Sequence, residues 1–197
     1  MGGILLRNPA TIDKINLPFA LPSAFVFSRK TARLPLAMEI DWANWQPKER
    51  ATLLFVVKDG RILLIRKKRG LGAGKINGPG GRIEPGETAL EAAVRETREE
   101  LGIEALSPEL RGELHFQFVD GYSLHCSVYI SPDLAGEPIE TDEAVPLWTP
   151  LDAIPYHEMW EDDARWLPGV LEGRSFRGFF LFESDKMLSH SVNWGTL

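Results

Sequence analysis

Residues 81–103 read GRIEPGETALEAAVRETREELGI, and this stretch decides the fold. Pro85-Gly86 makes a turn, and Thr88 with Glu91 three residues later forms a capping box that opens a helix. Gly102 stands where a left-handed C-cap glycine belongs, so the spacing predicts a helix over Leu90–Leu101. Leu90, Val94, Thr97 and Leu101 recur at helical spacing and are expected to face the core. The opposite side carries Glu96, Glu99 and Glu100 at positions i, i+3 and i+4, on adjacent turns. Like charges so placed repel, and the C-terminal end of a helix dipole disfavours anions further. A divalent cation reverses that balance, and oxygen-only donors suit Mg²⁺, with Mn²⁺ as an alternative. Taken alone, the three acids also fit a solvated helix face.

Upstream, Thr52–Val57 and Arg61–Arg66 are β-rich apolar runs separated by Asp59-Gly60, the signal of a tight hairpin. Gly70–Gly81 holds six glycines in twelve residues and reads as an irregular loop. It lacks the Gly-Lys-Ser/Thr spacing of a P-loop, which removes that class of nucleotide-binding site. Downstream, Glu113–Val119 and Leu124–Ile130 are expected as strands joined at Asp120-Gly121, with Phe116 and Phe118 on one face. A short strand at Pro146–Trp148 and a helical region from Asp162 to Leu171 follow, with Pro168 expected to bend or divide the latter. Strands, a helix, strands and a second helix imply an α+β fold in which a mixed sheet is packed between helices.

Composition is that of a globular chain, 44% hydrophobic and 25% charged, with no run long enough for a membrane span. The net charge of −6 argues against a nucleic-acid polymer as partner. The single cysteine, Cys126, excludes an internal disulfide framework and reads as a core residue. The first 38 residues carry five basic side chains against one acid, leaving the remainder at −10. Residues 1–45 are therefore expected to be an extension, disordered or translated from a start upstream of Met38, with the folded domain over 46–197. A basic, acid-poor start also resembles a transit peptide, so an organelle stands as the alternative to the cytoplasm.

The 81–103 segment resembles the Nudix signature: Gly, five residues, Glu, seven residues, Arg-Glu, an aliphatic, one residue, Glu-Glu, one residue, Gly, an aliphatic. Here these are Gly81, Glu87, Arg95, Glu96, Thr97, Glu99, Glu100, Gly102 and Ile103. Every position matches except Thr97, which takes an aliphatic place. The resemblance implies an α/β/α sandwich and metal-dependent hydrolysis of a nucleoside diphosphate derivative. It implies that Glu96, Glu99 and Glu100 hold Mg²⁺, with the Gly80–Gly81 carbonyls and Glu143 as further donors. Arg95 would pair with Glu87 and orient the ligands, and Glu99 or Glu100 would help deprotonate the attacking water.

From Thr52 to the end, the stretches ILLIRKKRGLGAGKINGPGGRIEPGET and IPYHEMWEDDARWLP and the run RGFFLF are similar to Nudix hydrolases that act on oxidised purine nucleoside triphosphates. That likeness implies a base pocket of Thr52, Lys67, Asn77, Phe116, Trp160, Asp162 and Asp163. Trp160 and Phe116 would stack on a base, and the Asn77 amide would read its edge. Asp162 and Asp163, side by side, cannot both ionise cheaply in a desolvated pocket, so one is expected to hold a proton. Helix capping is a second role open to the pair. The likeness departs at Leu71, where an aromatic is expected, and at Leu124 and Ala144, where methionines are expected; the smaller Ala144 would enlarge the pocket. The implied reaction releases a monophosphate and pyrophosphate from a triphosphate bound by a monomer. ADP-ribose, a dinucleotide or a methylated purine triphosphate are the other substrates open to the signature. A silent sensing module is disfavoured by the intact glutamates.

Overall fold

The computed structural model describes residues 39–197; the reading of residues 1–38 as an extension or targeting segment lies outside the described residues. In chain order the elements are β1 (Glu49–Lys58), β2 (Arg61–Lys67), β3 (Ile76–Asn77), α1 (Ala89–Leu101), β4 (Glu104–Leu106) and β5 (Glu109–Phe118). They continue as β6 (Ser123–Ser131), β7 (Asp133–Ala135), β8 (Ala144–Pro150), α2 (Asp163–Leu171), β9 (Phe176–Glu183) and β10 (Lys186–Trp194).

Local chemistry sets most of these boundaries. Asp59 and Gly60 both take positive φ, 51° and 70°, the pairing that lets a two-residue turn follow the twist of its strands. Helix α1 begins with the expected box: the Glu91 amide donates to the Thr88 hydroxyl at 3.2 Å and the Thr88 amide donates to the Glu91 carboxylate at 2.8 Å. It ends at Gly102, left-handed at φ 70°. Thr97 is fully buried and returns its hydroxyl to the Ala93 carbonyl at 2.8 Å, so the polar atom in the aliphatic position is satisfied within the helix. Pro168 neither bends α2 into two nor ends it; the helix runs unbroken to Leu171.

The main sheet runs β10-β9-β5-β6-β1-β2-β3, with β8 along the second edge of β2. It is mixed: β1 lies parallel to β6 and β5 parallel to β9, while the remaining pairs are antiparallel. β4 and β7 form a separate two-stranded ribbon. Alternate residues of β1 choose the layers. Leu54 and Val56 meet Ala93 and Leu101 of α1 on one face; Phe55 meets Trp166 of α2 on the other. The sheet is therefore covered by a helix on each face, as the α/β/α expectation requires.

Two further expectations need correction, and two features were not expected. The buried side of α1 is Ala92, Ala93, Thr97, Glu100 and Leu101, while Leu90 is 42% exposed. The buried face is rotated toward the small residues because alanines let the helix approach β1 closely, and the rotation carries Glu100 inside. Ala144 is fully buried among Leu54, Ala93 and Leu101, on the α1 side of the sheet, and so adds no room to a pocket on the α2 side. The β9–β10 hairpin was not anticipated, although β9 contains the RGFFLF run; its turn uses Ser184 at φ 53°. Trp42 and Trp45, on the extension side of residue 46, pack on the sheet, Trp42 against Phe179 at 5.2 Å and Trp45 against His115 at 5.3 Å between ring centroids.

Candidate nucleotide-hydrolysis site

Helix α1 and the glycine-rich segment before it build the acidic part of the site. The Leu54 amide donates to the Pro79 carbonyl and the Thr52 amide to the Gly81 carbonyl, each at 2.9 Å. The intervening Gly80 thus turns its own amide and carbonyl away from β1, as alternate residues of an extended chain do. That amide donates to Glu100 Oε2 at 2.8 Å. A Cβ at Gly80 would strike the Thr52 carbonyl, and one at Gly81 would strike the Glu96 carboxylate. Only a glycine fits at 80, where a Cβ would meet backbone, while at Gly81 a side chain would displace the Glu96 carboxylate.

The four glutamates divide by environment. Arg95 grips Glu87 with two parallel bonds, Nε to Oε1 at 2.8 Å and Nη2 to Oε2 at 2.9 Å, the fork-on-fork geometry that fixes both side chains. Its Nη1 reaches Glu96 at 2.8 Å and Glu99 at 3.2 Å, so one guanidinium spans three carboxylates. Hydrogen bonding to Glu87 raises the proton affinity of Arg95, and Arg95 in turn lowers that of Glu87. Glu99 is 54% exposed at its side chain, whereas Glu100 is 1% exposed. Burial pushes the Glu100 carboxyl above its ordinary range, opposed by Lys67, whose Nζ lies 3.1 Å from Oε1, and by the Gly80 amide. Glu100 is not on the helix face opposite the core, as the spacing suggested, but on the edge of the buried face under the glycine loop.

A pocket of about 520 Å³ opens beside this cluster. Its acidic and basic wall holds Gly80, Glu96, Lys67 and Glu143, the last ion-paired with Arg69. The remaining wall holds Thr52, Asn77, Phe116, Trp160, Asp162 and Asp163. All seven residues expected in a base pocket thus meet around one cavity. Glu87, Arg95, Glu99 and Glu100 are not on its wall; they stand behind or beside Glu96.

The details differ among them. Asn77 spends its side-chain oxygen on the Gly78 amide at 2.8 Å, leaving its NH₂ for another partner. Trp160 meets Phe182 edge-on at 5.9 Å and has Lys75 Nζ over its ring at 4.9 Å. The Thr52 side chain is buried and its hydroxyl has no hydrogen-bond partner among the described residues. Asp162 and Asp163 are each 2% exposed. Asp162 Oδ2 accepts from the Trp166 indole at 2.9 Å and Asp163 Oδ2 from the Trp160 amide at 3.1 Å. Desolvation pushes Asp162 up to about 6, and desolvation together with the Asp162 charge pushes Asp163 well above the carboxylate range. Asp162 stands at the N-cap of α2 yet makes no side-chain capping bond, so capping does not explain this side chain.

Several wall residues went unassigned in the sequence. Leu114 and Phe118 face the cavity with Phe116 because every second residue of β5 shares one face, a signal the period of two already carried. Phe182, stacked on Phe118 at 5.6 Å, comes from the unanticipated β9. Tyr122 and Arg82 reach the rim through Glu49, which accepts from the Tyr122 hydroxyl at 2.8 Å and from Arg82 at 2.7 Å. Leu71 and Leu124 line the cavity as expected, and Cys126 lies on its floor, its thiol pushed up by burial.

Among the described residues, no helix is long and apolar enough to cross a membrane. The NUDIX domain model matches residues 47–170. The oxidized purine nucleoside triphosphate hydrolase of Danio rerio is 40% identical over 144 residues, covering 72% of this chain and 92% of that protein. The enzyme of the same name from Mus musculus is 38% identical over 143 residues, again 72% and 92%. Among solved structures, the mutator MutT protein from Bacillus halodurans superposes with a TM-score of 0.67 at 28% identity, covering 74% of this chain and 97% of that one. With the matched domain spanning most of the chain and the signature glutamates gathered beside one pocket, this chain belongs to the Nudix family.

Proposed function

We propose that the chain hydrolyses oxidised purine nucleoside triphosphates to the monophosphate and pyrophosphate. The carrying observation is the buried pair Asp162–Asp163 on the wall of an aromatic pocket that also holds Glu96. A pair that shares a proton presents a donor and an acceptor side by side, which suits the altered edge of 8-oxoguanine or 2-hydroxyadenine. Phe116 and Trp160 supply flat apolar surface for the purine, and the Asn77 NH₂ supplies a further donor. The two relatives of the same name favour this substrate class over ADP-ribose or a dinucleotide.

Nudix hydrolases generally use divalent metal ions, and the donor chemistry here fits a hard one. Glu96, Glu99, Glu100 and the Gly80 carbonyl are all oxygen donors, and Glu100 is a buried carboxylate offset by only one lysine. These residues would hold Mg²⁺ or Mn²⁺, with Glu143 nearby on the pocket wall. The bound ion would neutralise phosphate charge and lower the pKa of a water molecule. Arg95 holds Glu96 and Glu99 in place, and Glu87 holds Arg95. Glu100 has the raised proton affinity a general base needs, and Lys67 with the Gly80 amide keeps it oriented. Lys67 and Arg69 line the same pocket and would meet phosphate oxygens. We read the protein as a monomer acting on free nucleotides.

The test is a competition among normal, 8-oxo, 2-hydroxy and O6-methyl purine triphosphates, a pyrimidine triphosphate and ADP-ribose, with wild type and Asp162→Asn. Wild type is expected to prefer an oxidised purine. The variant is expected to lose about ten- to a hundredfold on that substrate, the cost of one unpaired buried polar contact, with pyrimidine turnover little changed. Equal loss on both, or preference for ADP-ribose, would refute the reading.

A further inference from the structure

The sheet face that points away from the nucleotide pocket carries a second group of metal-type ligands. Leu114, Phe116 and Phe118 of β5 face the pocket, so Glu113, His115 and Gln117 face the other way. His115 is directly opposite His125 of β6 in the sheet register, and Glu113 is two residues before His115 on the same face. Their ligand atoms all lie within 4.8 Å of one another. The imidazole rings meet edge-to-face at 4.9 Å, with Trp45 against His115.

We propose that Glu113, His115 and His125 form a binding site for a borderline divalent transition ion, of which Zn²⁺ is the type. Two imidazole nitrogens and one carboxylate oxygen are a zinc donor set that leaves a fourth position for water. They are poor partners for Mg²⁺, which takes oxygen donors, so the site is chemically distinct from the α1 glutamates.

The free valences are in place. His115 Nδ1 is 3.2 Å from the Gly178 carbonyl, which fixes the proton there and leaves Nε2 with its lone pair, the arrangement seen in metal-ligating histidines. His125 Nδ1 is buried and has no hydrogen-bond partner among the described residues. A buried, unpaired ring nitrogen needs a reason, and a Lewis acid is one. Arg177 occupies only Oε2 of Glu113, leaving Oε1 free. Burial lowers the proton affinity of both histidines from its ordinary value. Donors around a tetrahedral Zn²⁺ are about 3.4 Å apart, a contraction that small side-chain rotations supply. The ion would tie β5 to β6 beneath the Trp42–Trp45 segment.

The competing account is that His115 is only part of an aromatic stack with Trp45 and Phe179, the latter at 4.7 Å. Calorimetric titration of the full chain with Zn²⁺, in saturating Mg²⁺ to occupy the α1 glutamates, separates the two. One equivalent is expected to bind to wild type and to Glu99→Gln, and at least about tenfold more weakly to His125→Gln and to Glu113→Gln. Mg²⁺-supported hydrolysis by the latter two variants should be unchanged, which also reports that they fold. Glu113 is partly exposed, so its variant remains informative if His125→Gln fails to fold. The proposal is overturned if wild type takes up no Zn²⁺, if the two variants bind it as tightly as wild type, or if Zn²⁺ uptake is lost in Glu99→Gln instead.

Discussion

On α1 and in the turn before it, Glu87, Glu96, Glu99 and Glu100 are surrounded by Arg95, Lys67 and backbone amide; at the start of α2, Asp162 and Asp163 have no cation beside them among the described residues and one side-chain hydrogen bond each. The same functional group is gripped by cations in one place and, in the other, buried without one and pushed toward its acid form. The difference is one of surroundings. Arg95 provides a positive charge shared by three carboxylates, while the aspartates lie against Trp160, Trp166 and the apolar floor of the pocket. In the proposed reaction the two carboxylate clusters would divide the work: charge handling at the phosphates and shape-reading at the base.

The largest expected effect tests the charged half. Glu96→Gln keeps the size of the side chain and its contact with Arg95 but removes a ligand charge. Turnover with Mg²⁺ should fall by about a thousandfold or more, on the order of 4 kcal/mol of transition-state stabilisation, with the thermal melt little changed. Turnover within a few-fold of wild type would break the comparison, because Glu96 would then be a mere surface acid.

The neutral half predicts a pH dependence of opposite sign to that of an ordinary salt-bridged carboxylate. The folded state binds protons at Asp162 and Asp163 more tightly than the unfolded chain, so the stabilisation from the pair is complete below about pH 4. It is lost as pH rises through the folded values, about 6 for Asp162 and well above the ordinary value for Asp163. Asp163→Asn removes that loss while keeping an oxygen for the Trp160 amide. Urea unfolding at pH 5 and pH 8 should show wild type losing more stability than the variant on going to pH 8, by about 1–3 kcal/mol. Parallel curves would mean that both aspartates ionise freely and that the contrast with α1 is false.

The smallest effect sharpens the pocket itself. The Thr52 hydroxyl is buried with no partner among the described residues, an arrangement that costs stability unless a ligand completes it. Thr52→Val should leave folding free energy unchanged or raise it by up to about 1 kcal/mol, while KM for the preferred purine rises roughly three- to tenfold. A lowered stability with unchanged KM would place this hydroxyl in the scaffold rather than at the substrate.

Much of this was written in local signals. The capping box Thr88–Glu91, the C-cap Gly102 and the turn Asp59-Gly60 depend on neighbouring residues only, and each appears where the chain chemistry put it. Glu87 lies before the N-cap Thr88, so its meeting with Arg95 depends on how the Pro85-Gly86 turn folds the chain back onto α1, and not on helical spacing alone. The β9–β10 hairpin was not legible, since Phe179 and Leu181 are as apolar as Phe180 and Phe182 on the other face, so the residue types show no clean alternation. Ala144 was misplaced for a related reason: a residue at a strand's start can face either layer, and only the register of β8 on β2 sends it to the α1 side.

The sequence by itself determined the helix α1, its two caps, the set of carboxylates it carries and the membership of the Nudix family, because those rest on spacing along one element. Tertiary structure alone decided how each acid behaves. Glu100 became buried and Glu99 stayed open through a rotation of α1 that follows from alanines meeting β1. Asp162 and Asp163 acquired their raised proton affinity from walls contributed by β1, β5, β6 and β9, strands far apart in the chain. Proton affinity is a property of surroundings in three dimensions, and a linear spacing does not contain it.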